Sequence, residues 1–135
     1  MIHALSQASD TNVLSILLNL LGHPNSYVGS AAAIAMARID PDGIGDRVLE
    51  RLNDASPAVR QDAALALGFS HKTRHVDPLL IALAKEQDMK TAAEIVFALS
   101  ELKSPDAIVG LEEAARSHPP LQANVEQALA RILNK

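Results

Sequence analysis

A sequence period of roughly 30 residues constrains this chain more than any other feature. Leu18, Leu49, Leu80 and Leu111 recur at one constant step, and Leu21, Leu52, Leu83 and Ala114 run beside them on the same step. A second track, Ala35-Met36-Ala37, Ala66-Leu67-Gly68, Ala98-Leu99-Ser100 and Ala128-Leu129-Ala130, keeps that step to within one position. A repeat of roughly 20 to 50 residues marks a stacked array, in which each unit supplies one slab of a shared core. Such arrays act by offering an extended surface.

Each unit reads as two helices. The first helices carry Leu14, Leu17, Leu18 and Leu21; Val48, Leu49 and Leu52; Val76, Leu79, Leu80 and Leu83; and Ala107, Ile108, Leu111 and Ala115. Steps of three and four place these side chains on one helical stripe. The second helices are expected at about 26–39, 57–70, 89–102 and 120–133. Polar, proline-bearing turns fall within units at His23 to Ser26, Asn53 to Pro57 and Ser117 to Pro120. Others join units at Asp40 to Gly43, Phe69 to Val76 and Lys103 to Asp106. Ser56 is placed to cap a helix whose first residue is Pro57, where a missing N–H costs no hydrogen bond. No segment alternates like a strand. The pattern predicts an all-α, right-handed superhelix of four helical hairpins spanning 12–135, with 1–11 as an arm outside it and Asp10 or Thr11 as its cap.

Aromatic residues make up only 2% of the chain against 48% apolar residues, so the interior must be built from Ala and Leu at close helix–helix spacing. A formal charge of −4, with no basic run, argues against a nucleic-acid binder or an anionic membrane surface as partner. The absence of cysteine removes disulfides, thiolate catalysis and Cys-based zinc sites together, and fits a cytoplasmic protein. The apolar stretch from Val13 to Leu21 is interrupted by Ser15 and Asn19 and is too short to span a bilayer. The opening residues lack the pattern of a secretory signal.

The segment Leu52 to Gly68, LNDASPAVRQDAALALG, resembles the HEAT repeat in the short bacterial form named after phycobilisome lyases. Asp54, Pro57, Val59, Arg60, Ala63, Ala66, Leu67 and Gly68 carry the likeness. The position of Arg60 is Gly29 in the first unit and Ala92 in the third, so the Arg-to-Asp brace between units that the resemblance implies is not expected in those two. The resemblance implies a solenoid whose second helices line the concave face.

On a helical wheel of about 100° per residue, Val59, Ala63, Ala66, Leu67 and Ser70 centre the buried direction of the second unit. Gln61, Leu65 and Gly68 then lie opposite, as do Ser30, Ile34 and Ala37; Ala93, Phe97 and Ser100; and Ala123, Gln127 and Ala130. None of these side chains is charged. Ile34, Leu65 and Phe97 form an apolar ladder on this face, flanked by a charged rim of Asp62, Glu94, Glu101, Glu126, Arg38 and Arg131. Exposed apolar patches of that kind mark interfaces, whereas curvature that brings these helices together, or residues 1–11 folded over them, would make the ladder ordinary packing. The partner expected there is another protein or peptide, with Gln61, Glu94 and Gln127 setting its polar register. A second copy pairing through Leu129, Ile132 and Leu133 at the C-terminal edge is the competing expectation.

Enzymatic chemistry finds little support. His71 and His75 have metal-ligand spacing, but they sit in HKTRH beside two cations and read as solvated loop histidines. No His-Glu dipeptide of the kind used by HEAT-repeat di-iron enzymes occurs. The lyase resemblance implies a bilin-handling alternative, yet aromatic walls beside basic residues are missing. No cofactor and no metal are expected. Glu112 and Glu113 read as a solvated face, and Tyr27 and Met36 as inter-helix packing.

Overall fold

The computed structural model describes residues 13–39 and 45–134, and is all-helical over them apart from short turns. Helix α1 covers 13–20. It is followed by α2 (Ser26–Ile39), α3 (Gly45–Arg51), α4 (Pro57–Phe69), α5 (Val76–Lys85), α6 (Met89–Leu102), α7 (Ile108–Ser117) and α8 (Gln122–Leu133). Single 3₁₀ turns at Thr73–His75, Pro105–Ala107 and Pro119–Leu121 lead into α5, α7 and α8. The expected arm, its cap and the Asp40 to Gly43 connection lie outside the described residues.

Local chemistry sets the boundaries. Gly22 adopts φ 78° after α1, a left-handed conformation that costs glycine little. Asn25 Oδ1 accepts from the Tyr27 N–H at 3.0 Å at the start of α2. Ser56 caps α4 by accepting from the Val59 N–H, with Pro57 as first residue. Asp88 caps α6 through the Thr91 N–H at 2.9 Å. At the far end of α6, Lys103 takes φ 52° before Pro105 ends any continuation.

The second helices form a continuous row, α2 on α4, α4 on α6 and α6 on α8, while α3, α5 and α7 pack on α4, α6 and α8 respectively. The core is Ala- and Leu-rich as composition requires: Ala63, Ala64, Ala66, Leu67, Leu79, Ala98, Leu99 and Leu111 are fully buried. Small residues permit the tightest crossing. A Cβ on Gly68 would stand 2.8 Å from the Ala98 Cα, so α4 and α6 touch backbone to backbone there. Met36 is buried as expected, but Tyr27 is 85% exposed. Tyr27 lies in the first turn of α2, where its ring faces solvent and does not pack between helices.

Each junction in the row is braced differently. Between the second and third units, the Arg60 guanidinium meets the Glu86 carboxylate at 2.9 Å through two parallel hydrogen bonds. Its remaining nitrogen donates to the Asp54 and Ala55 carbonyls, tying the turn of one unit to the turn of the next. The brace thus uses Glu86 rather than an aspartate. In the preceding junction the direction reverses: Asp62 of α4 reaches back and accepts from the Gly22 N–H at 2.8 Å. A Cβ at Gly29 would collide with that carboxylate, so the glycine that replaces the repeat's arginine makes room for it. Between α6 and α8, Arg131 pairs with Glu101 at 2.7 Å.

Candidate functional site

A hollow along the row of second helices has a volume of about 630 Å³ and crosses the N-terminal halves of α2, α4 and α6. Its walls include Pro24, Ser30, Pro57, Gln61, Leu65, Lys90 and Glu94, with Asp62 at its base. That size falls in the range of about 300–1,000 Å³ seen for ligand sites. A smaller cleft of about 150 Å³ lies between α6 and α8, lined by Ala93, Phe97, Asn124, Gln127 and Arg131.

These two hollows divide the residues singled out from the sequence. Gln61, Leu65 and Glu94 line the larger groove, and Phe97 and Gln127 line the smaller cleft. Ile34 lines neither and is half-buried against the core. The ladder is therefore not uniformly open. Leu65 is 8% exposed, whereas Phe97 is 41% exposed. In α4 every residue from Asp62 to Gly68 is buried, because α2, α3 and α6 all pack on that helix. A wheel with one buried direction misses the neighbours on either side. The same effect buries Ala37, Gly68 and Ser100, against the open positions that the wheel gives them.

The charged rim is corrected likewise. Asp62 and Glu101 are each 9% exposed, while Arg38, Glu126 and Arg131 remain exposed and Glu94 is half-buried. Burial pushes the Asp62 carboxyl above the usual carboxylate range, opposed by its bond from Gly22. Gln61 donates from Nε2 to the Thr91 hydroxyl at 3.0 Å, linking α4 to α6 within the groove wall. Phe97 packs against Phe69 at 6.3 Å between ring centroids, with the Arg131 guanidinium 6.0 Å from the Phe97 centroid. Arg131 is thereby fixed by a carboxylate and lies over an aromatic ring.

At the C-terminal edge, Ile132 is buried, Leu129 is half-buried and Leu133 alone of the three is exposed. The outer surface of α8 presents Gln122, Glu126, Gln127 and Arg131 instead. On the first-helix side, a hollow of about 320 Å³ lies between α5 and α7 and is lined by Leu80, Ile81, Gly110 and Ala114.

The histidine pair separates in the structure. His71 is exposed with φ 58°, but His75 is 2% exposed and not solvated. Its Nδ1 lies 2.8 Å from the Ser70 hydroxyl. That hydroxyl itself donates to the Leu67 carbonyl, so Nδ1 carries the proton and Nε2 is a bare acceptor. Nε2 is buried without a hydrogen-bond partner. Desolvation, and secondarily the nearby Arg74 charge, holds His75 below the ordinary imidazole pKa.

Below about pH 6.5 the unfolded chain therefore gains a proton that the folded one refuses, and stability falls with pH until the depressed value is passed. Asp62 acts in the opposite sense, its raised value adding stability as pH falls through it. Urea midpoints taken from pH 8 to pH 5 for the protein and for His75→Gln isolate the first effect. The wild-type curve is expected to lose up to about 1.4 kcal/mol per pH unit more than the variant inside that window. Parallel curves would refute the buried neutral imidazole.

Among the described residues, no group of three or more His, Asp or Glu side chains could hold a metal ion, and no helix is long and apolar enough to cross a membrane. The family model for HEAT repeats matches residues 45–130, which takes in α3 through most of α8. No curated protein matches the chain.

Proposed function

Because this chain belongs to the HEAT repeat family, we propose that it is a non-enzymatic scaffold or adaptor that binds another protein or peptide along its second-helix face. HEAT repeats commonly serve as interaction scaffolds. The observation that carries the reading is the groove of about 630 Å³ across α2, α4 and α6, continued towards α8 by the half-exposed Phe97. In this reading the helices wind as a right-handed superhelix of four hairpins, whose concave side is that face. An extended peptide laid across it would meet Gln61 and Glu94 as polar contacts and Phe97 as its apolar anchor, with Gln127 at the far end. The module is taken to work in the cytoplasm, in keeping with a chain free of cysteine.

Selection of random phage-displayed peptides on the immobilised full chain tests the reading. Truncating a central aromatic anchor costs about 2 kcal/mol or more in typical interfaces. Phe97→Glu is therefore expected to weaken a selected peptide on the order of tenfold or more, with only a modest change in the urea midpoint. Peptides indifferent to Phe97→Glu and to Glu94→Lys would place binding elsewhere. Light scattering separates self-association, since a strict monomer excludes a second copy at the C-terminal edge.

A further inference from the structure

We propose that the cleft between α6 and α8 seats an aromatic side chain of the partner against Phe97, while an acidic side chain two residues further along the partner pairs with Arg131. This rests on the interaction reading above and names the partner chemistry that one end of the second-helix face selects. The cleft, at about 150 Å³, is smaller than the roughly 300–1,000 Å³ of free-standing ligand sites, so it suits one side chain of a longer segment. Phe97 forms one wall at 41% exposure, and Phe69 packs on its ring at 6.3 Å between centroids. An incoming aromatic ring extends that pair by an offset or edge contact. Ala93 on α6 and Ala128 on α8 are too small to fill the space between the helices. Asn124 and Gln127, both exposed on the α8 wall, offer carboxamides to an extended backbone.

The Arg131–Glu101 pair is the independent observation. Its halves are unequally placed: the Glu101 side chain is 10% exposed and the Arg131 side chain 43%. The pair is neutral as a whole, yet it turns its cationic half to the surface. Among the described residues that line the cleft, Arg131 is the one charged side chain. Glu101 meets Nη1 at 2.7 Å, and a guanidinium carries five N–H donors, so donors remain for a second carboxylate. The larger groove has the opposite bias, with Asp62, Asp88 and Glu94 against Lys90 and His23, and disfavours that carboxylate. Spacing sets the register. The Arg131 Cζ lies 6.0 Å from the Phe97 centroid, and residues two apart on an extended segment share one face about 6–7 Å apart. An aromatic residue and an acid in that register reach both groups at once.

The test titrates acetyl-Phe-Ser-Glu amide into the isotope-labelled full chain and follows amide chemical shifts, with the Phe-Ser-Gln, Phe-Ser-Lys and Ala-Ser-Glu analogues as comparisons. Saturable shifts at Phe97, Ser100, Gln127 and Arg131 are expected with the first peptide. The glutamine analogue should bind roughly two- to fivefold more weakly, as for a solvent-exposed ion pair, the lysine analogue more weakly still, and the alanine analogue not at all. Arg131→Gln should abolish the preference for glutamate over glutamine. Because that variant strands the Glu101 carboxylate, Arg131→Gln combined with Glu101→Gln repeats the measurement with no charge left unpaired, and urea midpoints report whether each fold survives. Arg116→Gln, which removes an exposed cation from α7, should leave the preference unchanged. Equal affinity for the glutamate and glutamine peptides, or a preference that persists in both Arg131 variants, would overturn the proposal. Shifts gathered at Gln61 and Glu94 instead would place the segment in the larger groove and overturn it as well. If these peptides leave the cleft silent while a phage-selected peptide shifts the second-helix face, the proposal falls and the interaction reading stands. Silence with both defeats both.

Discussion

Leu65→Asp is expected to destabilise the protein by about 4 kcal/mol or more, a large part of the roughly 5–15 kcal/mol that holds a domain together. Leu65 is 8% exposed and lies in the run of α4 that α2, α3 and α6 enclose. The substitution removes a buried leucine and places a carboxylate beside the already desolvated Asp62. Like charges in so small a space raise the cost further. Phe97→Glu is the contrast. Phe97 stands on the same expected ladder but is 41% exposed, so its loss removes part of one aromatic contact with Phe69 and little else from the core. Urea unfolding of the two variants should therefore give a collapse for the first and a shift of about 1–2 kcal/mol for the second. Equal tolerance would mean that Leu65 faces water and that the groove has no apolar base.

The Arg60–Glu86 brace yields the second large effect. Arg60→Met should cost about 2–3 kcal/mol, since it strands a carboxylate whose side chain is 5% exposed. The Arg60 side chain is 18% exposed, which places this below the roughly 3–5 kcal/mol of fully buried pairs. Glu86 would keep only the bond from the Asp88 N–H at 3.1 Å, and the turn carbonyls of Asp54 and Ala55 would lose their donor. The double variant Arg60→Met with Glu86→Leu is expected to recover part of the loss, because no charge is then left without a partner. A double variant as unstable as the sum of its parts would show that the pair is not coupled.

The second helices are legible in the sequence almost to the residue, because period, proline placement and capping chemistry all agree. Ser56 before Pro57 is the clearest case: the cap, the proline and the following Ala-rich stripe each point to one helix start. Side-chain exposure is less legible. Leu65 reads as open because its own helix has an apolar stripe elsewhere, but lateral packing by α2 and α6 is a property of the stack and not of the segment. Tyr27 departs in the other direction, since it reads as inter-helix packing and its ring stands in solvent at the first turn of α2. His75 reads as part of a polar loop from its neighbours Lys72 and Arg74, yet the 3₁₀ turn directs it to Ser70 and buries it. The reach of Asp62 back to Gly22 has one faint signal, the glycine at position 29 where the second unit carries arginine.

A partner lying across the N-terminal halves of α2, α4 and α6 would mark that face in an amide shift map of the labelled full chain with a selected peptide. Perturbations at Gly22, Ser30, Gln61, Glu94 and Phe97 are the expected outcome. Perturbations gathered instead at Ile81, Val109 and Gly110, on the first-helix side between α5 and α7, would refute binding on the second-helix face.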